Sequence, residues 1–189
     1  MMDFIMSYLK KYKALLILTF VAFFSLNNLS ANQINLGNFN IAENAQGYDF
    51  LFEQDLFLND DILKAVQKGI AMRFNIDTKI WQKRQFWFDK VIHKETVFFE
   101  IKYRNLLKKY ELKEINGDYK LFATLDDLKK YIEPIKINLG KVGKLDNAWI
   151  NVQIKLDTNR LPKPLQINYI EKSWNISSKN YSMEFKKIN

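Results

Sequence analysis

The chain has 189 residues, about the length of one domain, and an aromatic content of 15% with only 6 glycines and 3 prolines, which indicates an ordered body rich in β-strands. Cysteine is absent, so disulfide bonds, thiol nucleophiles and cysteine-based zinc sites are excluded. The formal net charge of +8 suits nucleic acid, an anionic membrane or an acidic protein as a partner, and equally a solvated basic surface without a partner.

The first 31 residues have the order of a secretory signal. Lys10, Lys11 and Lys13 precede an apolar run of 13 residues, and a short polar stretch then ends at Ala31. The run is shorter than the roughly 18 residues of a membrane-spanning helix. We therefore predict an exported, periplasmic protein that is cleaved after Ala31. The alternatives are an uncleaved anchor in the inner membrane, because Leu29 is large for a cleavage site, and a buried core helix. Export makes nucleic acid an unexpected partner.

The exported body begins with two segments of different clarity. Residues 32–47 are rich in Asn and Gln and are interpreted as a linker or a loose first strand, whereas residues 48–189 are interpreted as a single β-rich domain. From Tyr48 to Leu58 apolar and acidic side chains alternate, which is typical of a half-buried strand. Asn59 then caps a short predicted helix.

The central part of the chain predicts a meander of antiparallel strands. Apolar and polar residues alternate over 70–77, and further extended segments are predicted at 79–92 and 96–104. Asn116 and Gly117 predict a two-residue hairpin turn of type I′, because both residues tolerate the positive φ that this turn requires.

A second short helix and the clearest strand follow. Thr124 is the predicted N-cap of the helix and Pro134 marks its end, and a loop is predicted around Gly140 and Gly143. The alternation of apolar and polar side chains then predicts a strand at 150–156.

The segment after this strand contains two prolines. Pro162 and Pro164 fix φ, so we predict a stiff, non-helical connector that carries the chain from one sheet to the other. Within it, Asp157 and Arg160 are placed to form an ion pair across the connector. The remaining residues, 166–185, predict one long strand or a final hairpin.

The predicted elements define the fold class. About seven to nine short strands with two brief helices predict a mainly β fold, either an antiparallel β-sandwich or a strongly bent sheet, with an α+β fold as the alternative. Strands and helices do not alternate regularly, which argues against a parallel α/β fold.

Few residues in the chain suit catalysis or metal binding. His93 is the single histidine, no glycine-rich phosphate loop or G-x-S-x-G motif occurs, and we predict no cofactor and no metal site. Five carboxylates lie in 49–61, and two at the correct separation would suffice for glycoside hydrolysis, although a solvated strand face and a helix start explain them as well. Asp157 and Asn159 begin a segment like a calcium loop, which then meets Pro162.

The segment Trp81–Lys90 interleaves cations with aromatic residues, the combination that stacks nucleobases or seats a protein at a lipid interface. In an extended strand Trp81 and Trp87 fall on one face, and Arg84, Phe86 and Phe88 on the other. Because both faces carry large apolar groups, we favour core packing, with an exposed partner-binding face as the alternative.

Several residues, taken in order from about 48 to 186, give the chain a resemblance to a known family. They are Gly69-Ile70 with Phe74, Arg84 and Trp87, Tyr103 with Leu106 and Tyr110, Leu125 and Leu128, Leu156-Asp157 followed by Leu161-Pro162-Lys-Pro164, and Trp174 with Phe185. In this order and spacing the chain resembles exported bacterial proteins grouped as domain of unknown function 4390. The resemblance implies export and supplies no catalytic residues. It also implies an envelope signalling role, because such proteins are often encoded near a membrane sensor kinase of the nitrogen-regulation type.

Together these features predict a non-enzymatic accessory module of the bacterial cell envelope that binds a protein partner, with a membrane sensor kinase as one candidate. The candidate partner-binding or structural residues are Arg84, Trp87, Asp157, Arg160, Leu161, Pro162 and Pro164. A second hypothesis is that the basic and aromatic surface binds anionic lipid or envelope glycan. A third is a carboxylate-based envelope hydrolase.

Overall fold

The computed structural model describes residues 34–143, 145, 147–167 and 174–185. In these ranges the elements are, in chain order, β1 (Ile34–Asn44), β2 (Gly47–Leu56), α1 (Asp60–Gln67), β3 (Met72–Gln82), β4 (Lys90–Arg104), β5 (Lys109–Lys113), β6 (Tyr119–Phe122), α2 (Leu125–Ile132), β7 (Pro134–Gly140), β8 (Ala148–Leu156), α3 (Lys163–Ile167) and β9 (Tyr181–Glu184). The predicted mainly β fold is confirmed. The predicted signal at residues 1–31 lies outside the described residues.

The nine strands of the described residues form two antiparallel sheets. The three-stranded sheet has the order β1-β2-β7, and the six-stranded sheet has the order β6-β5-β4-β3-β8-β9. The predicted meander is present as the run from β3 to β6, in which each strand pairs with the next. After β6 the chain passes through α2 and joins β2 of the other sheet as β7. The β6–α2–β7 connection therefore links the two sheets along one side of the molecule.

One hydrophobic core lies between the sheets. It is built from the alternate, inward-facing residues of the strands, such as Phe50 and Phe52 of β2, Phe74 and Ile76 of β3, and Ile150 of β8. The rings of Phe74 and Phe99 stack with their centroids 5.2 Å apart at the centre of the six-stranded sheet. The alternation that predicted these strands thus also identified their buried face.

The side of the sandwich near β1 and β8 is closed by the segment that precedes β9. Ser178 bridges Ile34 of β1, and the neighbouring Ser177 bridges Lys155 of β8. The Ser178 hydroxyl also accepts a hydrogen bond from the backbone N–H of Ile154 at 3.0 Å. This segment therefore joins the edges of both sheets, since its two bridges reach one strand of each.

Both helices predicted from capping residues are present. The side chain of Asn59 accepts a hydrogen bond from Ile62 N at the start of α1, and that of Thr124 accepts one from Asp127 N at the start of α2. Each helix also has two acidic residues in its first turn, where they complement the helix dipole. None of the helices among the described residues is long and apolar enough to cross a bilayer.

The predicted boundaries between β3 and β4 were wrong. β3 continues without a break from Met72 to Gln82 because the buried Thr78 keeps the inward alternation, and the chain turns only at 83–89. β4 then runs as one strand of 15 residues and pairs with β3 along the whole length of β3. The interpretation of Trp81–Lys90 as a core strand is wrong from residue 83 onward, since residues 83–90 are exposed.

The turn between β5 and β6 differs from the predicted type I′ turn. Gly117 has a positive φ of 93° and Asn116 does not. Gly117 N donates to Glu114 O and Glu114 N donates to Asp118 O, both at about 2.8 to 2.9 Å, which closes a three-residue loop with glycine at the left-handed position. The turn signal located the hairpin correctly but indicated the wrong loop length.

The segment with the two prolines is also different from its prediction. Pro162 O accepts hydrogen bonds from Leu165 N and Gln166 N, and a short helix forms, because the first N–H groups of a helix need no intrahelical acceptor and Pro164 loses nothing there. β8 before it and β9 after it belong to the same sheet. The segment is therefore neither non-helical nor a corner from one sheet to the other.

A buried carboxylate connects β4 and β5. Glu111 accepts hydrogen bonds from Lys102 at 2.8 Å and from Arg104 at 2.6 Å. Burial alone would raise the pKa of Glu111, but the hydrogen bonds from Arg104 and Lys102 outweigh burial and hold its pKa below the usual value. Glu111 is therefore charged in the folded protein at neutral pH and pairs two cations of the neighbouring strand.

We expect Glu111→Gln to lower the free energy of unfolding at neutral pH by about 2 kcal/mol, because the negative charge and one of the two acceptor oxygens that pair with Lys102 and Arg104 are lost. The folded pKa lies below the ordinary value of 4.5, so the stabilisation is present above that value and disappears as the pH falls through the folded pKa. Urea titrations across this range should show a weaker acid dependence for the variant than for the parent. The exposed Glu43→Gln is the control, and equal pH profiles for the Glu111 variant and the parent would contradict the prediction.

Candidate functional site

An open groove of about 530 Å³ lies between β7 and the β5–β6 hairpin, beside the end of α2. Its apolar walls come from four elements and the hairpin turn, and they are formed by Phe99, Leu112, Ile115, Ile132, Pro134 and Ile135. The Phe99 ring stacks on Phe74 of the core, so the packed core forms the floor of the groove. A rigid, largely apolar concavity with a few polar groups at its rim is the usual form of a binding site.

The groove occupies the side of the sandwich opposite the closing segment. On that side β7 is the edge strand of the three-stranded sheet and pairs only with β2 among the described residues. The β6–α2–β7 connection passes over this side, and α2 covers part of the gap through the buried Leu128 and Ile132. The part that α2 does not cover is the groove.

The register of β7 shows which of its backbone groups are free. Gln54 N donates to Glu133 O at 2.8 Å, so these two residues form a hydrogen-bonded pair. Hydrogen-bonded and non-hydrogen-bonded pairs alternate along an antiparallel ladder. Ile135 and Ile137 therefore bond to β2, whereas Lys136 and Asn138 form the intervening non-hydrogen-bonded pairs with Leu51 and Asp49. The backbone N–H and C=O groups of Lys136 and Asn138 thus point away from β2, along the rim of the groove.

The hairpin side of the rim carries a small polar cluster. Tyr131 of α2 donates to Glu114 Oε1 at 2.6 Å, and Lys120 of β6 donates to the Tyr131 hydroxyl and lies 3.3 Å from Glu114 Oε1. The hydrogen bond with Tyr131, supported by the Glu114 carboxylate, raises the pKa of Lys120 above its usual value. The cluster fixes the Tyr131 ring at the mouth of the groove, where Phe122 packs against it at 5.3 Å.

The β7 side of the rim is held by an ion pair. Lys136 Nζ lies 2.8 Å from Asp49 Oδ2, and this hydrogen bond, together with one from Asn44, keeps the pKa of Asp49 below its usual value. The Lys136 side chain is thereby directed onto the outer face of the sheet. Its backbone N–H and C=O at the edge stay accessible.

The family model described as Domain of unknown function (DUF4390) matches residues 31–184. The chain belongs to this family. The resemblance that the sequence suggested is thereby confirmed, and the match covers both sheets and every residue of the groove. No curated protein and no solved structure matches this DUF4390 chain.

The residues proposed from the sequence lie at two opposite ends of β3. Arg84 and Trp87 are in the exposed β3–β4 loop, beyond the last residue of β3. Asp157 follows β8 and donates its backbone N–H to Arg73 O, near the first residue of β3. A strand of 11 residues spans roughly 35 Å, so the structure does not bring the two groups together.

The residues of the proline segment have separate surroundings. Leu161 is buried in the core, whereas Arg160, Pro162 and Pro164 are exposed. Among the ion pairs of the described residues, the predicted pair between Asp157 and Arg160 is not present. Arg160 N instead donates to Asp157 O at 3.2 Å in a short 3-10 turn. The segment packs as a structural connection beside the core.

Three of the five candidate acidic residues in 49–61 have the following local roles. Asp49 pairs with Lys136, Glu53 accepts a hydrogen bond from the side chain of Asn38, and Asp60 lies in the first turn of α1. Among the described residues, Glu114 is the one carboxylate that lines the groove. In the described part of the chain no three His, Cys, Asp or Glu side chains group together in a way that could hold a metal ion. The groove geometry gives no support to a two-carboxylate hydrolase, which needs facing carboxyl groups.

The groove was not found from the sequence, because β7 was missed. The signal for β7 was present, since Ile135, Ile137 and Leu139 alternate with polar residues and are all buried. Pro134 and Gly140 are the first and last residues of this strand. Pro134 was interpreted as the end of the preceding helix, and Gly140 as the start of a loop. Proline is acceptable at the first position of an edge strand, where its missing N–H costs no ladder bond.

Proposed function

We propose that this DUF4390 protein is a non-enzymatic binding module of the bacterial cell envelope that captures an extended segment of a partner protein in the groove beside β7. The observation that carries this proposal is the free edge of β7, with Lys136 and Asn138 presenting backbone N–H and C=O groups along an apolar groove. An incoming strand that pairs with this edge adds main-chain hydrogen bonds, and its alternate side chains enter the groove.

The chemistry of the edge favours a polypeptide over other apolar ligands. Free N–H and C=O groups alternate along β7, and only a peptide backbone supplies donors and acceptors at the same spacing. An acyl chain or a sterol would fill the apolar walls and leave these groups unpaired, which costs free energy on burial. Side chains of Leu, Ile, Val or Phe at alternate positions of the partner fit the walls formed by residues such as Phe99 and Ile135.

The proposed location at the envelope and the proposed class of partner are supported by the sequence and not by the groove. The order of charges and apolar residues in the first 31 residues supports export. A membrane sensor kinase, the partner class that the family resemblance suggests, is the first partner to test. The described residues that line the groove include one carboxylate and no histidine, which supports a binding role over hydrolysis.

Site-specific photocrosslinking from the groove tests this proposal. The full chain is produced in cells with benzoylphenylalanine in place of Asn138, which lies on the rim of the groove and is exposed. We expect a discrete crosslinked product, and peptide mapping should place the crosslink in an extended segment of an extracytoplasmic domain.

The matched control carries the same crosslinker at Glu184, an exposed position of β9, which is the edge strand at the far side of the six-stranded sheet. The product seen from position 138 should be absent from position 184. Equal products from both positions, or no product from position 138, would overturn the proposal.

A further inference from the structure

The loop between β3 and β4 carries an exposed aromatic cluster that the groove does not use. Phe86, Trp87 and Phe88 are 86%, 78% and 95% exposed, and they follow one another at the end of the hairpin. We call residues 83–90 the aromatic tip. Three consecutive exposed aromatic side chains place a large apolar area in water, and such areas mark surfaces that bind a partner or a membrane.

The base of the aromatic tip is fixed to the six-stranded sheet. Lys83 N donates to Asn147 O at 3.1 Å, Trp81 stacks on Trp149, and the Trp81 indole N–H donates to Asn151 Oδ1 at 3.0 Å. The aromatic residues beyond this base are exposed and do not belong to the hydrophobic core of the described residues. The tip is therefore a projection with a firm support and with apolar side chains at its end.

The charge of the aromatic tip is positive. Lys83, Arg84 and Lys90 stand against Asp89, so three cations and one carboxylate leave a net charge of +2. Farther along the hairpin, Lys79 and Lys94 face each other in the register and are both exposed, which adds to the positive potential. The cations surround the aromatic cluster on both sides in the sequence.

We propose that the aromatic tip docks the protein on an anionic lipid surface. The aromatic rings enter the headgroup region, and the flanking cations contact lipid phosphates. Residues 85–87 form bends at the end of the hairpin, so the three rings stand on a narrow projection and not on a flat sheet face. A lipid interface surrounds the projection and accommodates Phe86, Trp87 and Phe88 together. This docking is independent of peptide capture at β7, which lies in the other sheet.

The chain supplies its own control surface at the other end of β4. Leu106 and Leu107, in the β4–β5 turn, are 100% and 55% exposed and are followed by Lys108 and Lys109. β4 has 15 residues and spans roughly 50 Å, so this turn and the aromatic tip are too far apart to share one contact. The turn has cations and aliphatic side chains but no aromatic ring.

Reporters at the two ends test the proposal on the full chain. Because the chain has no cysteine, Gln85→Cys and Asn105→Cys each give a single site for an environment-sensitive fluorophore. We expect the emission at position 85 to shift to the blue with vesicles of phosphatidylglycerol and phosphatidylcholine at low salt. It should shift little with phosphatidylcholine alone or at high salt, and the emission at position 105 should stay unchanged. The emission reports which position of the chain contacts lipid, so membrane attachment through another part of the chain would not produce a blue shift at position 85 alone.

Substitutions in the Gln85→Cys background separate the two contributions. The triple change of Phe86, Trp87 and Phe88 to serine should abolish the blue shift, whereas Leu106→Ser with Leu107→Ser should leave it intact. Neutralising Lys83, Arg84 and Lys90 should weaken vesicle binding of the tip by roughly a hundredfold at low salt, since each cation near an anionic surface contributes about fivefold.

No blue shift at position 85 with anionic vesicles would overturn the proposal. A shift at position 105 equal to that at position 85 would also overturn it.

Discussion

Replacing Gly47 with alanine is expected to lower the free energy of unfolding by at least about 3 kcal/mol. Gly47 begins β2 with a φ of +135°, which side chains rarely adopt, and a Cβ there would lie 1.8 Å from the carbonyl oxygen of Gly140. The three nearest atoms are backbone atoms of Gly140, the last residue of β7, and of Lys141, so they cannot move aside without disturbing the β2–β7 pairing.

Gly37→Ala is the matched control for this substitution. Gly37 lies in β1, and a Cβ there meets no atom within 4 Å, so the change should alter stability by less than about 1 kcal/mol. Urea denaturation followed by tryptophan fluorescence gives the comparison. Gly47→Ala that yields no folded protein, while Gly37→Ala folds, also agrees with the expectation. Equal midpoints for the two variants would contradict the close approach of the β1–β2 turn to β7.

The elements that were predicted correctly have signals within a few residues. β8 alternates apolar and polar side chains without interruption, and the caps at Asn59 and Thr124 are identified by the residue and its position. Alternation and capping are local because they depend on the geometry of one strand or one helical turn. The overall fold class followed from the number and spacing of such segments.

The groove could not be predicted in the same way. Its residues extend from Phe99 to Asn138 and come together because β7 pairs with β2, about 85 residues earlier in the chain, rather than with β6. A pattern of period two indicates that a segment is extended, but it does not indicate which strand is its neighbour. The free edge of β7 depends on that choice of neighbour, so it became visible only in the fold.

The aromatic tip shows a related limit. The sequence pattern placed large apolar groups on both faces of Trp81–Lys90, which favoured burial, and Trp81 is indeed half-buried against Trp149. The residues after Gln82 are exposed because they extend past the neighbouring strand β8. The first residue of β8, Ala148, lies opposite Gln82. Hydrophobicity alone does not tell whether a strand still has a neighbour at a given position.

Lys136→Pro is expected to weaken the binding of the captured partner segment by about thirtyfold or more. Proline removes the N–H that points away from β2, and its ring occupies the path of an incoming strand. The lost hydrogen bond and the steric conflict together correspond to about 2 kcal/mol of binding free energy. The β2–β7 ladder is retained because Lys136 N–H takes no part in it.

Lys136→Ala is the matched control, because it also breaks the ion pair with Asp49 but keeps the backbone N–H. Its affinity should stay within about threefold of that of the parent, because the exposed Lys136 side chain pairs with Asp49 on the outer face of the sheet, away from the backbone edge that the partner meets. Thermal midpoints of both variants show whether each is folded before binding is compared.

The affinity of the segment identified by crosslinking, measured by calorimetry for the parent, Lys136→Ala and Lys136→Pro, tests the capture of a strand by β7 most directly. We predict that the alanine variant binds like the parent and that the proline variant loses binding while it remains folded. Equal affinities of the alanine and proline variants would show that the backbone edge of β7 does not hold the partner.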